Sequence, residues 1–279
     1  MKKYLSITLC VLICLAAGCT PQASPPPPPA DTDQGLTSTE TPDTSSDASP
    51  DPTTDQTPGQ PDANPWEIGP DETMPPDEPP WDREPREERS LSELTENTIQ
   101  ITITMENGGV IIAELYPDLA PQTVRNFVYL ARLGFYDGLR FHRILSGFMV
   151  QSGCPYSIDG GAKGIPGTGG PGYSIWGEFK ENGFVNDVRH VQGVLSMARG
   201  DDMNSAGSQF FIVHATSPHL NNKYAAFGRV ISGLEVVDEI AATPNSGDNG
   251  AVAPEDMPVI RSITVDDDVD LPAPEKLPR

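Results

Sequence analysis

The sequence predicts an all-β fold: a closed antiparallel barrel capped by two α-helices. Three observations predict it. Many short segments between residues 98 and 265 carry apolar residues at strand spacing or as short apolar runs. Only two segments repeat at helical spacing, and a chain of many short strands with two helices is best closed by curling one sheet. The large apolar residues are concentrated in this span, because Thr20 to Arg89 is built from Pro, Thr, Ser, Asp and Glu.

The elements follow in order. Residues 98–104 alternate strictly, with Ile99, Ile101 and Ile103 on one face and Thr98, Gln100, Thr102 and Thr104 on the other. Asn107-Gly108-Gly109 turns the chain into a hairpin partner at 110–115. Pro121 opens a helix at its first position; Val124, Phe127, Val128 and Ala131 line one face, and Gly134 ends it. Short strands are expected at 140–145, 148–151, 193–198, 209–214, 226–230 and 259–265. A second helix over Leu234 to Ala242 packs Val236, Val237 and Ile240. The acidic end, with Asp266 closing the domain and Asp267, Asp268 and Asp270 in a tail over 267–279, reads as frayed and solvated. The folded domain is placed at 97–266, and no second one is visible.

Ahead of it lie two segments of other kinds. Lys2 and Lys3 precede an apolar run, Leu5 to Ala17, too short for an ordinary transmembrane helix. The run ends in Leu15-Ala16-Ala17-Gly18-Cys19. Residues 1–19 thus resemble a bacterial lipoprotein signal, although Ala16 stands where that signal usually has Leu. The resemblance implies lipidation at Cys19, an anchor in the bacterial cell membrane and a domain on the extracytoplasmic side. Residues 20–89 hold 17 acidic residues against three arginines. Such a segment buries too little apolar surface to offset its ordering entropy and reads as a disordered tether, spanning roughly 45 Å as a flexible coil. Trp66 and Trp81 stand out within it. The formal net charge is −22, a poor match to nucleic acid, whose phosphates need clustered Lys and Arg. Of the four cysteines only Cys154 lies in the folded part, so no disulfide is expected there. No Cys or His cluster surrounds it, and it reads as a packed thiol with no metal site and no cofactor.

Two stretches carry the chemistry. Phe141 to Gly153 reads FHRILSGFMVQSG, and Gly207 to Phe211 reads GSQFF. Each sets strong hydrogen-bonding side chains, Arg143 and Gln151 or Gln209, beside Phe141, Phe148, Met149, Phe210 and Phe211. A guanidinium next to an apolar surface suits an apolar ring beside a carbonyl, which is a prolyl peptide bond. In this order, with Met197-Ala198-Arg199 and the glycine-rich Gly167 to Gly170, they resemble the signature segments of the cyclophilin-type peptidyl-prolyl cis-trans isomerases over roughly Thr98 to Val265.

The resemblance implies an eight-stranded barrel and isomerase activity toward proline-containing exported polypeptides, by a monomer. It makes Arg143 the catalytic donor, oriented by Gln151, with His142 beside it. It implies that Phe148, Met149, Phe211 and Leu220 hold the proline ring. Gln209 contacts substrate, and Ala198 and Arg199 form an edge for its backbone. Three departures stand out. Ser152 replaces a usual glycine, and His219 and Tyr224, which the resemblance also places among the substrate-binding residues, stand where many eukaryotic members have tryptophan and histidine. Two other readings stay open here: a non-catalytic peptide-binding chaperone or scaffold lipoprotein at the cell surface, and an adhesion role resting on Trp66 and Trp81.

Overall fold

A run of isoleucines shows how the sheet starts. Strand β1 (Ile99–Met105) buries Ile99, Ile101, Ile103 and Met105 and turns the alternate residues outward, the two-residue period of a strand with one wet face. It pairs antiparallel with β2 (Val110–Leu115), in a register that sets Ile99 opposite Leu115 and Ile103 opposite Ile111. Asn107 closes the turn by accepting the Gly109 N–H at 3.0 Å. The computed structural model describes residues 95–279, apart from 248, 267 and 279. The expected signal, Cys19, the tether, Trp66 and Trp81 lie outside the described residues. Among the described residues no helix is long and apolar enough to cross a membrane.

The remaining strands are β3 (Arg143–Leu145), β4 (Met149–Ser152), β5 (Tyr173–Ser174), β6 (Val194–Met197), β7 (Phe210–Val213), β8 (Ala226–Ser232), β9 (Ile260–Val265) and β10 (Leu277–Pro278). Eight of them form one antiparallel sheet in the order β3-β4-β7-β6-β8-β2-β1-β9. Helix α1 (Pro121–Arg132) contacts β9, and α2 (Leu234–Ala241) contacts β2, β3 and β4. Phe127 of α1 reaches the centre of the core, with its ring 4.9 Å from Tyr136 and 5.2 Å from both Phe210 and Phe227. Such aromatic pairs add about 0.5–1.5 kcal/mol each beyond their area.

The closed barrel expected from the sequence is corrected to a strongly curled half-barrel. Between the edge strands the ladder is not continuous. Arg140 and Val259 make an isolated bridge, the Phe141 N–H reaches the Pro258 carbonyl at 2.9 Å, and the Ile260 N–H reaches the Leu139 carbonyl at 2.8 Å. Pro258 has no N–H to return, and β3 is only three residues long, so the pairing stops there.

The chain beyond β9 is docked rather than frayed, although Asp266, Asp268 and Asp270 are exposed as expected. Val269 and Leu271 pack against the main core. The Arg132 guanidinium donates to the Val269 carbonyl. Lys276 Nζ lies 5.2 Å from the Tyr129 ring and 5.1 Å from the Tyr173 ring, and β10 pairs with β5. A few apolar and cationic side chains among the aspartates are enough to dock the segment on α1.

α1 has an unusual start. Its N-cap is Ala120, which has no capping side chain, and its first turn holds no acidic residue. The carboxyl group of Glu178 caps the helix instead: Oε1 accepts the Gln122 N–H at 2.9 Å and Oε2 the Thr123 N–H at 2.8 Å. Glu178 is completely buried. Burial pushes its carboxyl up to about 7, against the two amide donors and Arg125, which pull it down.

Candidate active site

β3, β4 and β7 lie side by side, and their register assembles the site. Arg143 pairs with Gln151, and Gln151 with Phe211. Because alternate residues share a face, Met149 and Gln151 of β4 point the same way as Phe211 of β7. These side chains, with His142, Arg143, Phe148, Leu220, Ala198, Arg199 and Tyr224, line a cavity of about 480 Å³. Two adjoining regions divide it, one polar and one apolar.

The polar region is a relay. Arg143 Nη1 donates to Gln151 Oε1 at 3.2 Å, and Gln151 Nε2 donates to Gln209 Oε1 at 2.9 Å. Gln209 Nε2 then donates to the Gly167 and Gly169 carbonyls, both at 2.8 Å. Partial burial pulls the Arg143 guanidinium below its ordinary value, but an arginine stays charged at neutral pH. His142 is buried, and burial holds its imidazole down to about 4, helped by the neighbouring Arg143 charge. It is therefore neutral at physiological pH.

The apolar region is a small cluster separate from the main core. Met149, Phe211 and Leu220 are buried in it, and Phe148, Ala198 and Tyr224 pack against them. Tyr224 meets the Phe211 ring edge-on at 5.9 Å. His219 is exposed, lying 5.2 Å from the Phe148 ring at the rim. The Arg199 side chain is occupied elsewhere. It donates to the Lys223, Gly200 and Asp201 carbonyls and lies between the Phe179 and Tyr224 rings at 5.1 and 4.9 Å. It props Tyr224 from the cavity wall. Ser152 fits without disturbing β4, since its hydroxyl donates to the Arg140 carbonyl at 3.0 Å. Cys154 is buried, and its Sγ accepts the Gly167 and Gly169 N–H groups at 3.1 and 3.3 Å.

The structure adds residues that sequence reasoning missed. Arg143 Nε donates to both the backbone oxygen of Asn249, at 2.9 Å, and its Oδ1, at 3.2 Å. The loop carrying Asn249 docks on β3 through the Ile144 N–H to the Gly250 carbonyl, 2.7 Å. Gly250 has φ of +70°, and a Cβ there would sit 2.4 Å from the Ile144 oxygen, so only glycine allows the approach. His214 is a second addition. Its Nδ1 accepts the Gly147 N–H at 2.8 Å while Nε2 faces Asp238 at 3.2 Å, which ties the turn before Phe148 to α2. Neither residue carries a local motif, and Asn249 lies 106 positions from Arg143, so nothing in the sequence points to either.

Asn249→Ala is expected to lower kcat about threefold with little change in KM or melting temperature. The residue is exposed, and the backbone acceptor on Nε survives. Asn249→Asp, which keeps the oxygen, should restore the rate. Equal rates for both variants and the parent would remove Asn249 from the site.

A curled sheet with two helices, holding a guanidinium against a ring-sized apolar cleft, marks the class of enzymes that rotate prolyl bonds. Residues 99–265 match the family model described as cyclophilin type peptidyl-prolyl cis-trans isomerase/CLD. The chain belongs to that family and is a peptidyl-prolyl cis-trans isomerase. It is 50% identical over 131 residues to peptidyl-prolyl cis-trans isomerase B of Bacillus subtilis, covering 47% of this chain and 82% of that one. It is 41% identical over 145 residues to the Helicobacter pylori peptidyl-prolyl cis-trans isomerase, covering 51% and 80%. A crystal structure of a Cryptosporidium parvum cyclophilin type isomerase, in the presence of the dipeptide Ala-Pro, superposes with a TM-score of 0.51 at 28% identity, covering 61% of this chain and 99% of that one.

Proposed function

We propose that this isomerase acts on exported polypeptides at the outer face of a bacterial membrane, and that Arg143 lowers the barrier by donating to the prolyl nitrogen as the amide twists. The observation that supports the mechanism is how the guanidinium is held. Nε is committed to Asn249 and Nη1 to Gln151. Among the described residues Nη2 has no acceptor, which leaves it for the substrate.

Rotation about the prolyl bond faces a barrier of about 18–20 kcal/mol and takes about 10–100 s unaided. Reaching about 1–1000 turnovers per second requires only about 2–7 kcal/mol less. Twisting ends amide resonance and leaves a lone pair on nitrogen. A donor aimed there stabilises the twisted state more than the planar one, by about 3–4 kcal/mol if it resembles an oxyanion donor. The remainder comes from holding the proline ring against Phe148, Met149, Phe211 and Leu220 while the other side of the bond turns. Gln151 orients the arginine, and His142, neutral and buried, walls the site. Gln209 meets the peptide, backbone groups of Ala198 and Arg199 border it, and His219 and Tyr224 sit at the rim. No cofactor enters this scheme.

The location rests on the lipoprotein-like run ending at Cys19 and on the polar stretch over 20–89, long enough to hold a domain off a membrane. Cys19→Ala in the full chain should move the protein from the membrane fraction to the soluble fraction and leave turnover of a short prolyl peptide within about twofold. A parent chain already found in the soluble fraction would refute the anchor while leaving the isomerase untouched.

A further inference from the structure

One wall of the catalytic cavity is apolar and has no role in the scheme above. It is the turn that carries Ile165 and Pro166, and three neighbours pin it. Cys154 Sγ takes the N–H groups of Gly167 and Gly169, and Gln209 Nε2 donates to their carbonyls. Thr168 closes the turn, its N–H and hydroxyl both donating to the Ile165 carbonyl at 3.1 and 2.8 Å. Beneath it Gly164 lies against the Tyr156 ring, so closely that a Cβ would come within 2.6 Å of it. Yet this fixed turn holds the Ile165 side chain 74% exposed, on the lip of the cavity that contains Arg143. A lone exposed isoleucine is ordinary. One carried on a backbone already pinned, continuous with the cavity, is a ready contact, because little backbone ordering entropy remains to be lost on binding.

The register says which part of the substrate meets it. Along β4 the apolar cluster lies at Met149, the relay at Gln151, and Cys154 with its turn beyond. The turn is therefore across Arg143 from the ring pocket. The prolyl nitrogen at Arg143 is bonded on one side to its ring and on the other to the preceding residue. We propose that Ile165, with Pro166, is a specificity-determining lip that favours a large apolar residue immediately before the proline. This rests on the reading of the groove as the seat of the prolyl bond.

The test is a set of short peptides that differ only in the residue before proline: Leu, Phe, Ala, Glu and Lys. The full chain should turn over the Leu and Phe peptides about fivefold better than Ala in kcat/KM, mostly through KM, a gain suited to a partly exposed apolar contact. Ile165→Ser should abolish most of that preference, and Ile165→Lys should shift it toward Glu. Because the side chain is exposed, both variants should melt with the parent. A parent with no preference for Leu over Ala, or variants that lower all five peptides equally, would overturn the lip while leaving the groove reading in place. Loss of turnover on every peptide by the parent would instead sink the groove reading, and the lip with it.

Discussion

Replacing Arg143 with Ala is expected to lower kcat/KM for a prolyl peptide by about 100-fold while the domain stays folded. The magnitude is that of removing one well-placed donor from a pre-organised site, about 10²–10³ in rate. Folding should survive because the side chain is only partly buried and its partners, Asn249 and Gln151, can turn to water. Arg143→Lys separates charge from geometry. An ammonium keeps the charge but cannot hold Asn249 and Gln151 while also presenting a third nitrogen, so it should recover little of the rate. Thermal melting and circular dichroism of both variants, beside the peptide assay, check the claim. Turnover near that of the parent in Arg143→Ala would end the lone-pair mechanism. A rate loss matched by a large fall in melting temperature would make Arg143 a structural residue.

What could be read from the chain depended on how local its cause was. β1 and β2 were legible because alternating isoleucines and an Asn-Gly turn are short-range signals, and their expected and observed bounds differ by at most one residue. α1 and α2 announced themselves through Pro121 and through Val236, Val237 and Ile240. The pairing of β5 with β10 was not legible, since two-residue strands carry no period and their partners lie about a hundred positions apart. Composition also misled. Asp266, Asp268 and Asp270 are exposed as their charge suggests, but Arg132, Tyr129 and Tyr173 supply partners for the rest of the segment that a count of charges cannot reveal. Barrel closure failed for a related reason, because it turned on which backbone groups meet at Pro258. Arg143, Gln151 and the apolar cluster could be named from motifs, whereas Asn249 and Ile165 owe their places to loops that dock from elsewhere, and His214, just after β7, to contacts with Gly147 and Asp238.

Glu178→Ala is expected to destabilise the domain by about 3 kcal/mol, or about 6–12 °C in melting temperature. It leaves the Gln122 and Thr123 N–H groups buried without an acceptor, at about 1–3 kcal/mol each, partly offset because a buried carboxylate is itself expensive. The loss should reach the active site through α1. Asn126 Nδ2 donates to the Gly207 carbonyl at 2.6 Å, and Gly207 begins the stretch that carries Gln209 and Phe211. Glu178→Gln keeps an acceptor and removes the titration, which turns the comparison into a pH experiment. Burial raises the folded-state value to about 7 from an ordinary 4.5, so the folded protein holds the proton more tightly than the unfolded chain does. The stabilisation from that proton is complete below about 4.5 and is lost as pH rises through about 7, a swing of about 3 kcal/mol. Relative to Glu178→Gln, the parent should therefore be more stable at pH 5 than at pH 8, with the change confined to that interval. A stability difference that is flat across the interval, or that grows with pH, would mean that the two amide donors and Arg125 outweigh burial and that the carboxylate is charged in the folded protein.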